Sequence, residues 1–379
     1  MQNLADLLAP VSVDDFFATY HGKRPLHIPA TPDAPKASLL DWSQFNALLE
    51  QASLWNPQTL KLVQNTDPIP PADYCRLVRD QTGESLRPDP AKVSQHLARG
   101  ASLVAGDVQQ LTPDISRLTQ VLGRAFSAST QANVYCSFKG VQAFGSHYDL
   151  TDVIAVQTEG QKLWRLYQGR ADNPTAFPVE GPQVKTYFTQ TRGPLLAEIM
   201  MKPGDVLYLP RGVYHDALAQ EGASLHVTYA LAPLHGGILF KLLEQAAMQH
   251  SDFRAYLPPA DQDDGKALQT HLNRLSQYLT QLIASPQFRD EVAMAQEQII
   301  PRHHTYNLPH HAPRTTYRRQ PLMAPNYSGP VAHVMHHALS QSSFVLEDLI
   351  AQFTFVPEAQ IRSAVDQAEQ AKVIERVSS

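Results

Sequence analysis

The fifteen residues Val153-Ile154-Ala155-Val156-Gln157-Thr158-Glu159-Gly160-Gln161-Lys162-Leu163-Trp164-Arg165-Leu166-Tyr167 decide the fold class. Two runs, 153–157 and 163–167, are rich in β-branched, aliphatic and aromatic residues. They flank Thr158-Glu159-Gly160-Gln161, a short polar link with a glycine where a tight turn needs positive φ. The pattern predicts two strands joined as a hairpin. Downstream, Gly204-Asp205-Val206-Leu207-Tyr208-Leu209-Pro210 is a strand signal closed by Arg211-Gly212, and Leu225 to Leu231 looks like a returning strand. The whole span from about Asn133 to Pro233 consists of such runs punctuated by Gly and Pro, which predicts an antiparallel β core of sandwich or barrel type.

Around that core the chain of 379 residues is long enough for two or three folded units. With 43% hydrophobic and 18% charged residues it has enough apolar surface to fold, which excludes the disordered, collagen-like and coiled-coil classes. The 29 prolines favour turns and strand edges over long uninterrupted helices. No apolar run reaches the roughly 20 residues of a membrane span, and Met1-Gln2-Asn3-Leu4-Ala5-Asp6 lacks a secretory pattern, so no membrane partner is expected. Two cysteines, Cys75 and Cys136, suit a reducing compartment, and a cytoplasmic location is the expectation. A net charge of −5 opposes wholesale nucleic-acid coating.

Residues up to about Gln120 mix short helical patterns with proline-rich loops such as Asp67-Pro68-Ile69-Pro70-Pro71, and read as α+β structure packed on the downstream β core. Beyond Pro233 the period turns helical, with Ile238, Leu239, Leu242, Leu243 and Ala246 on one stripe and Leu268, Leu272, Leu275, Leu279 and Leu282 on another. Such a module, over about 234–300, suits a homodimer interface. From Gln298 to Leu346 there is no Asp or Glu, while Arg302, Arg314, Arg318, Arg319 and seven histidines lie inside, which reads as a basic linker. It is a better candidate for contact with an RNA-rich partner than the tail, although paired histidines at 303–304 and 310–311 are ordinary in surface linkers. The tail predicts two short helices, Phe344 to Phe353 and Pro357 to Ile374, the second opened by proline, with a possible strand after them. That order suits a small winged-helix-like domain. The domain boundaries fall at 1–233, 234–312 and 313–379.

In Gly145-Ser146-His147-Tyr148-Asp149 the histidine and the aspartate are two residues apart, so on an extended strand both side chains leave one face. Imidazole plus carboxylate suits a borderline divalent metal, and one further neutral ligand completes the two-histidine, one-carboxylate set that leaves positions open on iron(II). His215, just past the strand and turn at 204–212, is the best candidate for the third ligand. His-x-Asp alone is weak, because such spacing arises by chance.

Three ordered blocks add specificity: His147-Tyr148-Asp149, then Glu159-Gly160-Gln161-Lys162-Leu163-Trp164-Arg165-Leu166-Tyr167, then the Pro-Gly-Asp-x-Leu-Tyr-x-Pro-x-Gly-x-x-His run from Pro203 to His215. Together they resemble the JmjC (cupin-like) 2-oxoglutarate oxygenases, and in particular their ribosomal oxygenase branch. The segment from Phe16-Phe17 to Arg24-Pro25-Leu26 is also in that style, so the resemblance covers nearly the whole chain. It implies an α+β fold with a double-stranded β-helix (jelly-roll) core, a helical dimerisation module and a C-terminal winged-helix-like domain. It also implies iron(II) as cofactor and 2-oxoglutarate as co-substrate.

A dicarboxylate whose far end is buried needs a cation, since an unpaired buried charge costs several kcal/mol or more. The resemblance places the co-substrate lysine at Lys162 and a supporting tyrosine at Tyr135, with Thr228 as a weaker third candidate. The rival cation is Arg165, and the bland reading of Lys162 is a solvated strand residue. His226 is either near the metal site's second layer or simply packed there, and Trp164 and Tyr167 read as core or barrel wall. No catalytic side chain beyond the metal and co-substrate ligands is demanded.

The implied activity is hydroxylation of a protein side chain, Arg or His, of a ribosomal protein. Bacterial arginine-hydroxylating relatives place an arginine elsewhere for the co-substrate, whereas this lysine is more like the nucleolar histidine-hydroxylating relatives. Two alternatives stay open: the same chemistry on a small molecule or natural-product peptide, and a non-catalytic scaffold holding an ion. Histone-type demethylation shares the iron chemistry, but nothing in the sequence resembles the reader domains that accompany it.

Overall fold

The structure, a computed structural model, describes residues 1–32, 35–80, 83–138, 141–142, 145–181, 183–219, 222–302 and 314–378. It divides into two compact units, Met1–His303 and His304–Ser379.

In chain order the strands of the first unit are β1 (Leu26–Ile28), β2 (Leu60–Gln64), β3 (Asp67–Pro68), β4 (Cys75–Asp80), β5 (Gly83–Pro88), β6 (Ser102–Ala105) and β7 (Ala128–Ser137). They continue with β8 (Val141–Gln142), β9 (Asp152–Gly160), β10 (Lys162–Arg170), β11 (Leu195–Met201), β12 (Val206–Leu209), β13 (Val213–Ala219) and β14 (Ser224–Pro233). Eight form one sheet in the order β1-β12-β9-β14-β7-β6-β2-β3, and four form a second in the order β11-β10-β13-β8. The strands β4 and β5 pair only with each other.

Period-two alternation sorts the side chains of the large sheet. On β14, Leu225, Val227, Tyr229 and Leu231 turn outward into an apolar core, together with Val134 and Cys136 of β7 and Ile154 and Val156 of β9. Leu7, Phe16, Phe45, Ile115, Leu118 and Leu122, all from the first 126 residues, complete that core. The N-terminal region therefore packs on the core as expected, and it also lengthens the large sheet through β1, β2, β3 and β6, which carry no distinct sequence signal.

The expected hairpin across Gly160 is not formed. Strand β9 pairs with β12 and β14, whereas β10 pairs with β11 and β13, so the link at Gly160-Gln161 passes the chain from one sheet to the other. Gly160 has φ +62°, and a Cβ there would lie 1.8 Å from the carbonyl oxygen of Ala223. The glycine does demand positive φ, but for a corner between sheets.

The helical reading beyond Pro233 corresponds to helices Ile238–Ala247, Lys266–Ala284 and Pro286–Ile299. In the second unit, Thr316–Arg319 is the central strand between Ser343–Val345 and Ile374–Ser378, with helices Pro330–Leu339, Leu346–Gln352 and Glu358–Gln370. Val334, Met335, Phe344, Leu349, Ile361 and Val365 build its core. Two expectations change here. The acid-free stretch is not wholly a linker, because residues 316–319 and 330–339 are regular structure built around buried Tyr317, Val334 and Met335. The first tail helix starts at Leu346, since Ser343–Val345 pairs as a strand with Thr316–Arg318. The histidine pairs at 303–304 and 310–311 lie outside the described residues.

Candidate metal and co-substrate site

The alternation that sends Leu225 and Val227 outward turns His226 and Thr228 inward, and does the same for Tyr135 and Ser137 on β7. On β10 it is Lys162 and Trp164 that turn inward. Tyr135, Lys162, Trp164, His215, His226 and Thr228 line one small cavity between the two sheets, with His147 and Asp149 at its wall.

His147, Asp149 and His215 each offer one ligand atom, and these atoms lie within 4.8 Å of one another. His147 Nε2 is 4.0 Å from Asp149 Oδ1, and His215 Nε2 is 3.6 Å from Asp149 Oδ2. A short antiparallel bridge aligns the histidines: His147 N donates to His215 O at 3.0 Å and His215 N to His147 O at 2.8 Å. Their ring centroids are 4.5 Å apart. Each Nδ1 faces a backbone carbonyl, His147 that of Gly145 at 2.8 Å and His215 that of Val213 at 2.9 Å. Those carbonyls select the Nδ1–H tautomer and leave both Nε2 lone pairs for an ion. Burial, with His147 beside it, pulls His215 down to about 4, so it is neutral at pH 7, as a metal ligand must be. Two imidazoles and one carboxylate are the donor set suited to iron(II) with open positions.

Lys162 is 2% exposed. Its ammonium donates to Ser137 Oγ at 3.1 Å, and Ser102 Oγ lies 3.0 Å from the same hydroxyl. Among the described residues no carboxylate pairs with it, and burial pushes its pKa down to about 8. Three further wall atoms, Trp164 Nε1, His226 Nδ1 and Thr228 Oγ1, are buried without a hydrogen-bond partner among the described residues. A buried cation beside unsatisfied polar atoms is the surface complement of an anion with several oxygen acceptors.

Tyr135 lies flat against His226, centroids 5.0 Å apart and planes 5° from parallel, and burial pushes its hydroxyl pKa up, with Asp149 adding to the shift. The rival cation Arg165 points the other way and pairs with Glu198 at 2.9 Å on the exposed side of β10. One residue escaped the sequence reading: Ser137, which receives the Lys162 ammonium, carries no chemical signal of its own. Trp164, read as core or barrel wall, lines the cavity two residues from Lys162 on β10.

Residues 107–235 match the JmjC domain family. The bifunctional lysine-specific demethylase and histidyl-hydroxylase NO66 of Dictyostelium discoideum is 29% identical over 263 residues, covering 67% of this chain and 49% of the relative. Ribosomal oxygenase 1 of Gallus gallus is 27% identical over 261 residues, covering 66% of this chain and 41% of the relative. The chain thus spans about half the length, or less, of these curated relatives. Among solved structures, an X-ray structure of YcfD of Escherichia coli shares the fold with a TM-score of 0.51 at 15% identity, covering 97% of this chain and 98% of that one. Another structure of that ribosomal oxygenase, in complex with cobalt and 2-oxoglutarate, gives a TM-score of 0.50 at 16% identity over the same coverage. The matched domain and the curated relatives thus agree: residues 107–235 are similar to a JmjC domain, and about two thirds of the chain is similar to NO66 and ribosomal oxygenase 1.

Proposed function

We propose that the chain is an iron(II)- and 2-oxoglutarate-dependent oxygenase that hydroxylates a histidine or arginine side chain of a ribosomal protein. The observation that carries this reading is the buried Lys162 ammonium, which pairs with no carboxylate among the described residues, in the cavity that the His147–Asp149–His215 cluster borders. A scaffold that merely held an ion would have no reason to keep such a cation, because an apolar residue there would be more stable. Bound iron(II), 2-oxoglutarate and dioxygen would supply the oxidising chemistry, with succinate and carbon dioxide as by-products.

In this reading His147, Asp149 and His215 hold the metal. Lys162 neutralises the far carboxylate of 2-oxoglutarate, Tyr135 and Thr228 offer hydroxyls to it, and Ser137 sets where the ammonium sits. The relatives' names, which speak of histidyl hydroxylation and of ribosomal oxygenation, support a ribosomal protein as substrate. The lysine at 162 favours histidine as the target.

The same proposal includes a homodimer. In the helical module most of the expected apolar stripe is only half-buried, and Phe240, Leu257, Leu272, Ile283 and Met294 are exposed. An apolar surface of that extent on one module supports a second copy as its cover. The C-terminal unit, with three helices and a three-stranded sheet, is read as winged-helix-like and architectural, without sequence-specific nucleic-acid contact. No helix among the described residues is long and apolar enough to cross a membrane. A cytoplasmic location remains part of the proposal.

The test starts without oxygen: protein, iron(II) and 2-oxoglutarate are mixed and the visible metal-to-keto charge-transfer band is sought. Oxygen and ribosomal-protein peptides are then added, with succinate and a +16 Da product expected. No band and no succinate would sink the oxygenase reading. A band with no modified ribosomal peptide would move the substrate to a small molecule or another peptide.

A further inference from the structure

We infer that His226 is a further positioning residue for the 2-oxoglutarate proposed above, holding its far carboxylate beside Lys162; this rests on that reading of the cavity.

The placement of His226 comes from register. It faces Tyr135 of β7 directly across the ladder, and on the other side of β14 it faces Gln157 of β9. Its ring is 3% exposed and held on two sides, flat against Tyr135 and edge-on to Trp164 at 5.7 Å and 72°. A ring pinned in this way cannot turn to find a new partner, yet Nδ1 has none among the described residues. An orphaned polar atom on a fixed ring at a cavity wall is a site shaped for something that arrives.

Which end of the cavity it serves is set by register. Its cross-strand partner Tyr135 precedes Ser137 by two residues on the inward face of β7, and Ser137 receives the Lys162 ammonium. His226 therefore belongs to the Lys162 end, where burial first and that ammonium second hold the ring neutral. An imidazolium there would place a second cation beside the Lys162 ammonium, so the ring contributes a hydrogen bond without adding charge. With Thr228 Oγ1, also unpartnered and two residues further along β14, it gives the incoming carboxylate neutral partners to complement one charged partner.

The test separates polarity from packing. His226→Phe keeps the stack on Tyr135 and removes both ring nitrogens, while His226→Asn keeps a polar atom near the Nδ1 position and removes the ring. Binding to cobalt-loaded protein is measured by calorimetry for 2-oxoglutarate and for pyruvate, which has the same metal-facing end but no far carboxylate. The expected result is that His226→Phe weakens 2-oxoglutarate about tenfold or more, as for a lost hydrogen bond to a charged group, while pyruvate and cobalt affinities stay as in wild type. His226→Asn should retain affinity within about threefold. Equal 2-oxoglutarate affinity for wild type and His226→Phe, or equal losses for both ligands, overturns the inference while leaving the oxygenase reading intact. If wild type itself does not distinguish 2-oxoglutarate from pyruvate, the co-substrate reading fails first.

Discussion

The Lys162 ammonium rests on the hydroxyl of Ser137, 3.1 Å away on the neighbouring sheet, and on no carboxylate among the described residues. A buried cation placed this way costs stability by itself and gains a partner when an anion binds. Lys162→Met should therefore separate folding from binding. The metal-free variant is expected to be as stable as wild type or more stable by about 1–3 kcal/mol, because a buried charge is gone. Its KM for 2-oxoglutarate should rise about 100-fold or more, since the far carboxylate would then be buried unpaired. Thermal melts and steady-state kinetics read the two effects.

Arg165→Ala is the control for that experiment. Arg165 is three residues further along β10, but its guanidinium pairs with Glu198 on an exposed surface. Stability should change by less than about 1 kcal/mol and the KM for 2-oxoglutarate should not move. A large rise in KM for Arg165→Ala, with none for Lys162→Met, would reverse the assignment of the cation.

The pH dependence has a definite sign. Burial lowers Lys162 from 10.5 to about 8 in the folded protein. Below about 8 the lysine is charged in both folded and unfolded chains and the burial penalty is present in full. Between about 8 and 10.5 the unfolded chain holds the proton more tightly, so this group makes stability rise with pH across that window. Dicarboxylate affinity should do the opposite and fall above about 8, because the anion needs the ammonium. Near pH 8.5, binding should take up a proton, visible in calorimetry as a heat that depends on the buffer's ionisation enthalpy, and Lys162→Met should abolish that dependence.

Gly160→Ala tests the corner between the sheets. Its positive φ and the 1.8 Å approach to Ala223 O act together, so the substitution should cost about 2–4 kcal/mol or more. Gly222 has a similar φ of +66° with nothing within 4 Å of a Cβ, so Gly222→Ala carries the conformational strain alone, about 1 kcal/mol. Denaturant melts of the pair measure the steric part by difference.

That corner also marks where the sequence stops being legible. Strand content between 133 and 233 comes from local alternation, and His147, Asp149 and His215 stand out because the spacing of His147 and Asp149 and the turn before His215 are local facts. Whether β9 pairs with β10 or hands the chain to another sheet depends on β12, β13 and β14, tens of residues away. A polar link with a glycine serves either purpose. Strand β1 joins the large sheet at the edge of β12 and β6 at that of β7, with β2 added in turn on β6. Ser137 becomes meaningful only once Lys162 is seen to rest on it, and Trp164 only once the inward face of β10 is known.

Gly212, three residues before His215, ties two candidate metal ligands together through the backbone. Its N–H donates to the carbonyl of Asp149 at 3.1 Å, and its own carbonyl accepts from Ala171 N at 3.0 Å. It has φ +83°, and a Cβ there would lie 2.2 Å from Ala171 O. Gly212→Ala must therefore shift the turn that sets His215 against Asp149, without touching any ligand atom. The expected result is a loss of about 2 kcal/mol or more in stability and a metal affinity reduced about tenfold or more, since misplaced ligands cost affinity steeply. In thermal melts with and without cobalt, wild type should show a clear metal-induced rise in Tm, Gly212→Ala a smaller one and His147→Ala none. A Gly212→Ala protein that melts lower but keeps the full metal-induced rise would show that the turn serves folding alone.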